Sequence, residues 1–94
     1  MKEPSLTDIK LRSEIPVDAK FIGWIIYNPL QDDFLWKFRE NARALFKQWV
    51  IYPDMALRFK KYKQATKMRD DLELRGIATI VAAFDCGPEI RIGN

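Results

Sequence analysis

Phe21-Ile22-Gly23-Trp24-Ile25-Ile26-Tyr27 is the stretch on which the reading of this chain turns. Its β-branched and aromatic side chains suit a pleated, half-buried surface, and Asn28-Pro29 directly after it is a turn signal. Asp32-Asp33 closes that turn. Beyond it Phe34, Trp36 and Phe38 alternate with Leu35, Lys37 and Arg39, the period of two that marks a second strand. One face of that strand would be aromatic and the other partly cationic. The two runs predict an antiparallel hairpin with a loop of about five residues.

Downstream the signals mix. Ala42, Leu45, Phe46 and Trp49 recur at helical spacing and Asn41 is a competent N-cap, which predicts a short helix over 42–48. Trp49-Val50-Ile51-Tyr52 reads as extended, since Pro53 disfavours helix at Tyr52. From Pro53 onward, Met55, Phe59, Tyr62, Ala65, Met68 and Leu72 follow at steps of three or four but spread over about half a helical circumference. That spread predicts two helical pieces, 54–59 and 62–74, kinked near Lys60-Lys61, with Gly76 as the residue that ends the second. Ile77 to Phe84 carries no charge, as suits a central strand covered on both faces. Asp85-Cys86-Gly87-Pro88 is a turn, and Glu89-Ile90-Arg91-Ile92 follows as a short edge strand.

Upstream, residues 1–20 carry Pro4, Pro16 and mixed charge, and read as a loosely ordered N-terminal arm with one turn of helix or a short strand. Residues 21–94 then form a single α+β domain. The expected fold is a small antiparallel or mixed sheet of three to four strands, made of the hairpin and a central last strand, with the main helix packed on one face.

Composition narrows the chemistry. The 94 residues, 11.1 kDa in all, include no His and one Cys, which excludes a His-based triad, a His-ligated metal and a disulfide framework. Cys86 has no His to activate it, and adjacent carboxylates such as Asp32-Asp33 and Asp70-Asp71 point in different directions. Neither a GxGxxG nor a GxxxxGK pattern is present. The chain therefore reads as a non-enzymatic domain with no cofactor and no metal. Its apolar runs fall short of the ~20 residues of a membrane span, which makes a soluble, cytoplasmic protein without membrane partners the expectation.

The net charge of +3 is unevenly distributed. Residues 37–69 hold ten basic side chains against two acids, Glu40 and Asp54, a balance of +8. Eleven of the twelve aromatic residues lie between positions 21 and 62, overlapping that basic segment. Lys and Arg track phosphates while aromatic rings stack on unpaired bases. This coincidence points to an anionic partner, nucleic acid first. Lys37, Arg39, Lys60, Lys63 and Lys67 are the candidate phosphate contacts, with Trp36 as a stacking platform. The bland alternative is that the rings are core and the lysines a wetted helix face. A rival function is a protein-interaction or inhibitor domain, including a homodimer, that uses exposed Trp24, Trp36 or Trp49 and a sheet edge.

Overall fold

The computed structural model describes residues 3–40 and 45–94. Helix α1 spans Leu6–Arg12, strands β1 and β2 span Lys20–Asn28 and Asp33–Glu40, and β3 spans Leu45–Val50. A 3-10 turn at Pro53–Met55 leads to helix α2, Tyr62–Asp71, and then to β4, Thr79–Asp85, and β5, Ile90–Gly93. The architecture is α+β: one antiparallel five-stranded sheet in the order β3-β2-β1-β4-β5 with two helices. The apolar run at 77–84 does supply an interior strand, and the 89–92 stretch an edge strand.

The fifth strand comes from the segment read as a helix. Residues 45–48 belong to β3, and 42–44 lie outside the described residues. The apolar residues of this segment keep helical spacing, and cross-strand pairing overrides it. Val50 sits opposite Phe34 and Trp49 opposite Leu35. Trp49 then packs with the helix-side core and Val50 with the opposite one. A helix would have left β2 without this partner.

Both sheet faces are covered. Trp24, Ile26, Leu35, Ile80, Ala82 and Phe84 face the helices, where Ile9, Ala65 and Leu72 pack on them. Ile25, Phe34, Val81 and Ala83 line the other face under Ala56, which follows the 3-10 turn. Trp24 is 1% exposed and makes edge-on contacts with Phe21 and Tyr62 at 5.2 and 5.0 Å. It is core, so the rival reading loses it as an exposed aromatic. Phe21 reaches Trp24's face because a bulge between Phe21 and Gly23 shifts the strand by one residue. Gly23 adopts φ +147°, and a Cβ there would lie 3.1 Å from Arg58 Cβ and 3.3 Å from the Phe59 carbonyl oxygen.

That close approach reflects the central irregularity of the sheet. β1 and β2 pair only at Tyr27–Phe34 and Asn28–Asp33. Beyond those pairs, residues 57–59 join the two strands. The Leu57 N–H donates to the Leu35 carbonyl at 2.9 Å, and Phe59 exchanges two backbone hydrogen bonds with Trp24 at 2.8 and 2.9 Å. The helical piece expected over 54–59 is therefore one 3-10 turn followed by extended chain, because its backbone groups bond the sheet instead of themselves. α2 also ends earlier than 74. Leu72 is its C-cap, Glu73 takes a left-handed φ of 61°, and the Leu74 N–H closes on the Arg69 carbonyl at 2.9 Å. The terminating residue is Glu73, not Gly76, because burying both Leu72 and Leu74 requires the chain to reverse between them.

Residues 6–12, within the arm read as loose, form a helix that docks on the sheet. Ile9, Ile15 and Ala19 are buried in the core. Lys10 Nζ donates to the Val17 and Ala19 carbonyls at 2.9 and 2.8 Å, which holds the connection to β1 in place.

Candidate nucleic-acid interface

Past Leu35, β2 pairs only with β3 among the described residues. Residues 37–40 and 45–48 thus make a two-stranded ribbon beyond the body of the sheet. The molecule measures 45 × 30 × 23 Å along its principal axes. It exposes 6549 Å², against ~5,700 Å² for a compact chain of this mass. The excess fits a body with a projecting element.

The ribbon begins at a second bulge. Leu35 lies opposite Trp49 and Lys37 opposite Gln48, so Trp36 is an extra residue without its own partner. Strand alternation from Leu35 puts Trp36 on the sheet face away from α2, and the bulge keeps Lys37 with it. The Lys37 ammonium sits 4.2 Å from the centroid of the Trp36 ring. This corrects the expectation that Lys37 and Trp36 occupy opposite faces: the bulge breaks the two-residue period there. Arg39 pairs with Phe46 in the ladder, and its side chain lies outside the described residues. Lys47 sits opposite Phe38 and two residues from Trp49, which puts it on the α2 face of the ribbon, away from Lys37.

The remaining candidates lie elsewhere. Lys60 and Lys61 are exposed on the extended lead into α2, and Lys63 and Lys67 on the helix itself, on the other side of the sheet from Trp36. Lys67 is neutralised by Asp71 at 3.0 Å and Arg69 by Asp70 at 3.1 Å. The amide of Tyr62, in the first turn of α2, donates to the Glu3 carboxylate at 3.3 Å, so the chain's own acid occupies that end. The structure thus divides the five cations into a ribbon pair, Lys37 and Arg39, and a helix group, Lys60, Lys63 and Lys67, of which Lys67 is already paired.

Two other regions are acidic. A shallow groove of about 260 Å³ between β5 and the 3-10 turn is bordered by Asp54, Asp85 and Glu89 around Arg58. The β1–β2 turn carries Asp32 and Asp33. Tyr27 Oη donates to Asp32 Oδ1 at 2.6 Å. That hydrogen bond raises the Tyr27 pKa above its usual value, with burial adding to it. Burial likewise raises the Asp33 carboxyl, helped by the neighbouring Asp32, and one Asp33 oxygen is buried with no hydrogen-bond partner. Neither region suits a polyanion.

No family model matches the sequence, and no curated protein or solved structure is detectably similar. Among the described residues no group of three or more Cys, Asp or Glu side chains is arranged to hold a metal ion, and no helix is long and apolar enough to cross a membrane.

The stacked Lys37–Trp36 pair could not have been read from the sequence. Nothing in Leu35-Trp36-Lys37, neither Gly nor Pro, signals a bulge. The 57–59 connection is hidden because Met55, Phe59 and Tyr62 keep helical steps across it.

Proposed function

We propose that this chain is a non-enzymatic binding domain whose β2–β3 ribbon engages an anionic polymer, nucleic acid before others. The observation that carries the reading is the ribbon's departure from β1 together with its charge. Lys37, Arg39, Arg43 and Lys47 against Glu40 make residues 37–47 net +3. Cation–π contact with Trp36 holds the Lys37 ammonium in place, which lowers the entropy lost when it meets a phosphate. Lys60 and Lys63 would add contacts only to a ligand that reaches around the sheet to the helix side.

The test is titration of a fluorescently labelled oligonucleotide at two salt concentrations. Neutralising about four phosphates predicts a loss of roughly 100-fold in affinity between about 50 and 200 mM salt. Reversing Lys37 and Arg39 to Glu should abolish binding with circular dichroism unchanged. Absence of binding at the lower salt, or binding indifferent to salt, overturns the proposal.

A second reading has its own support. Leu30 in the β1–β2 turn is 91% exposed. The strand register places Ile51, Tyr52 and Ile77, all exposed, at that same end of the sheet. Together they make an apolar end suited to a protein partner or a second copy. Sedimentation across a range of protein concentrations in high salt tests it: a monomer throughout removes the homodimer.

A further inference from the structure

We infer that β5 is a dimerisation edge, which pairs two-fold with β5 of a second copy and joins the two five-stranded sheets into one. This stands apart from the polyanion reading and uses a different surface from the apolar end at Leu30. β5 closes the strand order, so it has β4 on one side only. The hairpin fixes which of its backbone groups point outward. The Cys86 N–H donates to the Glu89 carbonyl at 3.0 Å, so Glu89 bonds inward, and Arg91 and Gly93 follow at the period of two. The far side of β4 agrees. Trp24 directs its N–H and carbonyl at Phe59, which leaves the opposing Ala82 to bond Gly93. Ile90 and Ile92 therefore turn their N–H and carbonyl groups away from β4, where no backbone partner stands among the described residues.

Charge selects both the occupant and the register. With Ile90 and Ile92 facing outward, a two-fold antiparallel pairing can be centred on Ile90, on Arg91 or on Ile92. Centring on Arg91 sets two arginines face to face, and centring on Ile92 gives neither Glu89 nor Arg91 an opposite charge. Centring on Ile90 puts Glu89 opposite the partner's Arg91 and Arg91 opposite the partner's Glu89. Charges on an edge strand normally deter pairing. In this register they complement each other. Both side chains are exposed, and the Arg91 guanidinium donates at 3.4 Å to the Glu14 carbonyl. On the other face Ile90 and Ile92 are half-buried against the Ile25–Val81 core, and the partner's Ile90 would extend their cover. α1 meets β5 at Gly93, the end of the strand away from this axis.

The experiment is sedimentation equilibrium of the full chain at about 150 mM salt, from about 1 μM to about 1 mM protein, a range that covers weak dimers. The parent should dimerise. Glu89→Arg and Arg91→Glu should each weaken the dimer at least ~10-fold, since either change turns both attractions into repulsions. Both positions are exposed, so folding tolerates either change. Arg91→Glu also lowers the net charge of +3 by two, which by itself would favour association. An equimolar mixture of the two variants should recover the parent's association, because the doubly basic edge of one faces the doubly acidic edge of the other. A parent that stays monomeric throughout, single variants that dimerise like the parent, or a mixture that does not recover overturns the inference. A dimer lost in Leu30→Ser but kept in Glu89→Arg assigns the contact to the apolar end and overturns it as well.

Discussion

Gly93 is the position at which α1 meets the sheet, and replacing it with Ala tests that seat directly. A Cβ on Gly93 would lie 2.5 Å from Ser13 Oγ, 2.8 Å from Ile9 Cγ2 and 2.9 Å from Ser13 Cβ. All three distances fall inside van der Waals contact, so α1 or β5 must move. Overpacking of this kind costs about 1–3 kcal/mol. The alternative route, lifting α1 off the sheet, uncovers Ile9, which is fully buried. Exposing such a side chain costs about 1.5–3 kcal/mol, so both routes set a similar ceiling. For a domain of this size the shift in Tm is roughly 5–20 °C. Urea unfolding followed by tryptophan fluorescence reads the change as a lower midpoint at constant slope. Ser13→Gly removes two of the three obstructing atoms. The double variant Ser13→Gly/Gly93→Ala should therefore recover at least about 0.5 kcal/mol in a double-mutant cycle. A Gly93→Ala protein as stable as the parent, or one that Ser13→Gly does not relieve, would refute the docking of α1 on β5.

Glu73→Gly should raise stability by about 0.5–1 kcal/mol, because Glu73 holds a left-handed φ of 61° that is strained for an L-residue; an unchanged or lower unfolding midpoint counts against that helix terminus. Asp33 has a folded-state pKa above its unfolded one, so the folded form binds more protons, and stability falls as pH rises from the ordinary carboxyl range through the raised value. Asp33→Asn should accordingly stabilise the protein at pH 7, with the gain vanishing below the ordinary carboxyl range; a gain that persists in acid points away from charge burial. The amides of Trp24, Leu57 and Phe59 should exchange with solvent as slowly as those of the β1–β4 ladder, since each is held in a backbone hydrogen bond between the 57–59 segment and a strand. Loop-like exchange at Leu57 and Phe59 would mean that the 57–59 connection is open in solution.

Local pattern was informative wherever one signal dominated. Phe21 to Tyr27 and Ile77 to Phe84 are β-rich and too apolar to sit at an edge, and they pair with each other at the middle of the sheet. Where pairing with distant strands overrode the local spacing, the sequence pointed to helix. Leu45, Phe46 and Trp49 keep helical spacing, and the cross-strand match of Trp49 with Leu35 and of Val50 with Phe34 makes Leu45–Val50 a strand. Met55, Phe59 and Tyr62 likewise carry helical spacing, but the gap between β1 and β2 takes the backbone groups of Leu57 and Phe59.

The basic candidates divide in the same way. Sequence alone established how many cations the middle of the chain holds, because composition and order are its content. Their arrangement was decided in three dimensions. A bulge turns Lys37 onto Trp36, i,i+4 geometry joins Lys67 to Asp71, and Trp36 and α2 lie on opposite faces of the sheet. Charge adds along a chain without reference to direction, whereas binding depends on which charges share a surface, and that is set by pairing partners distant in sequence.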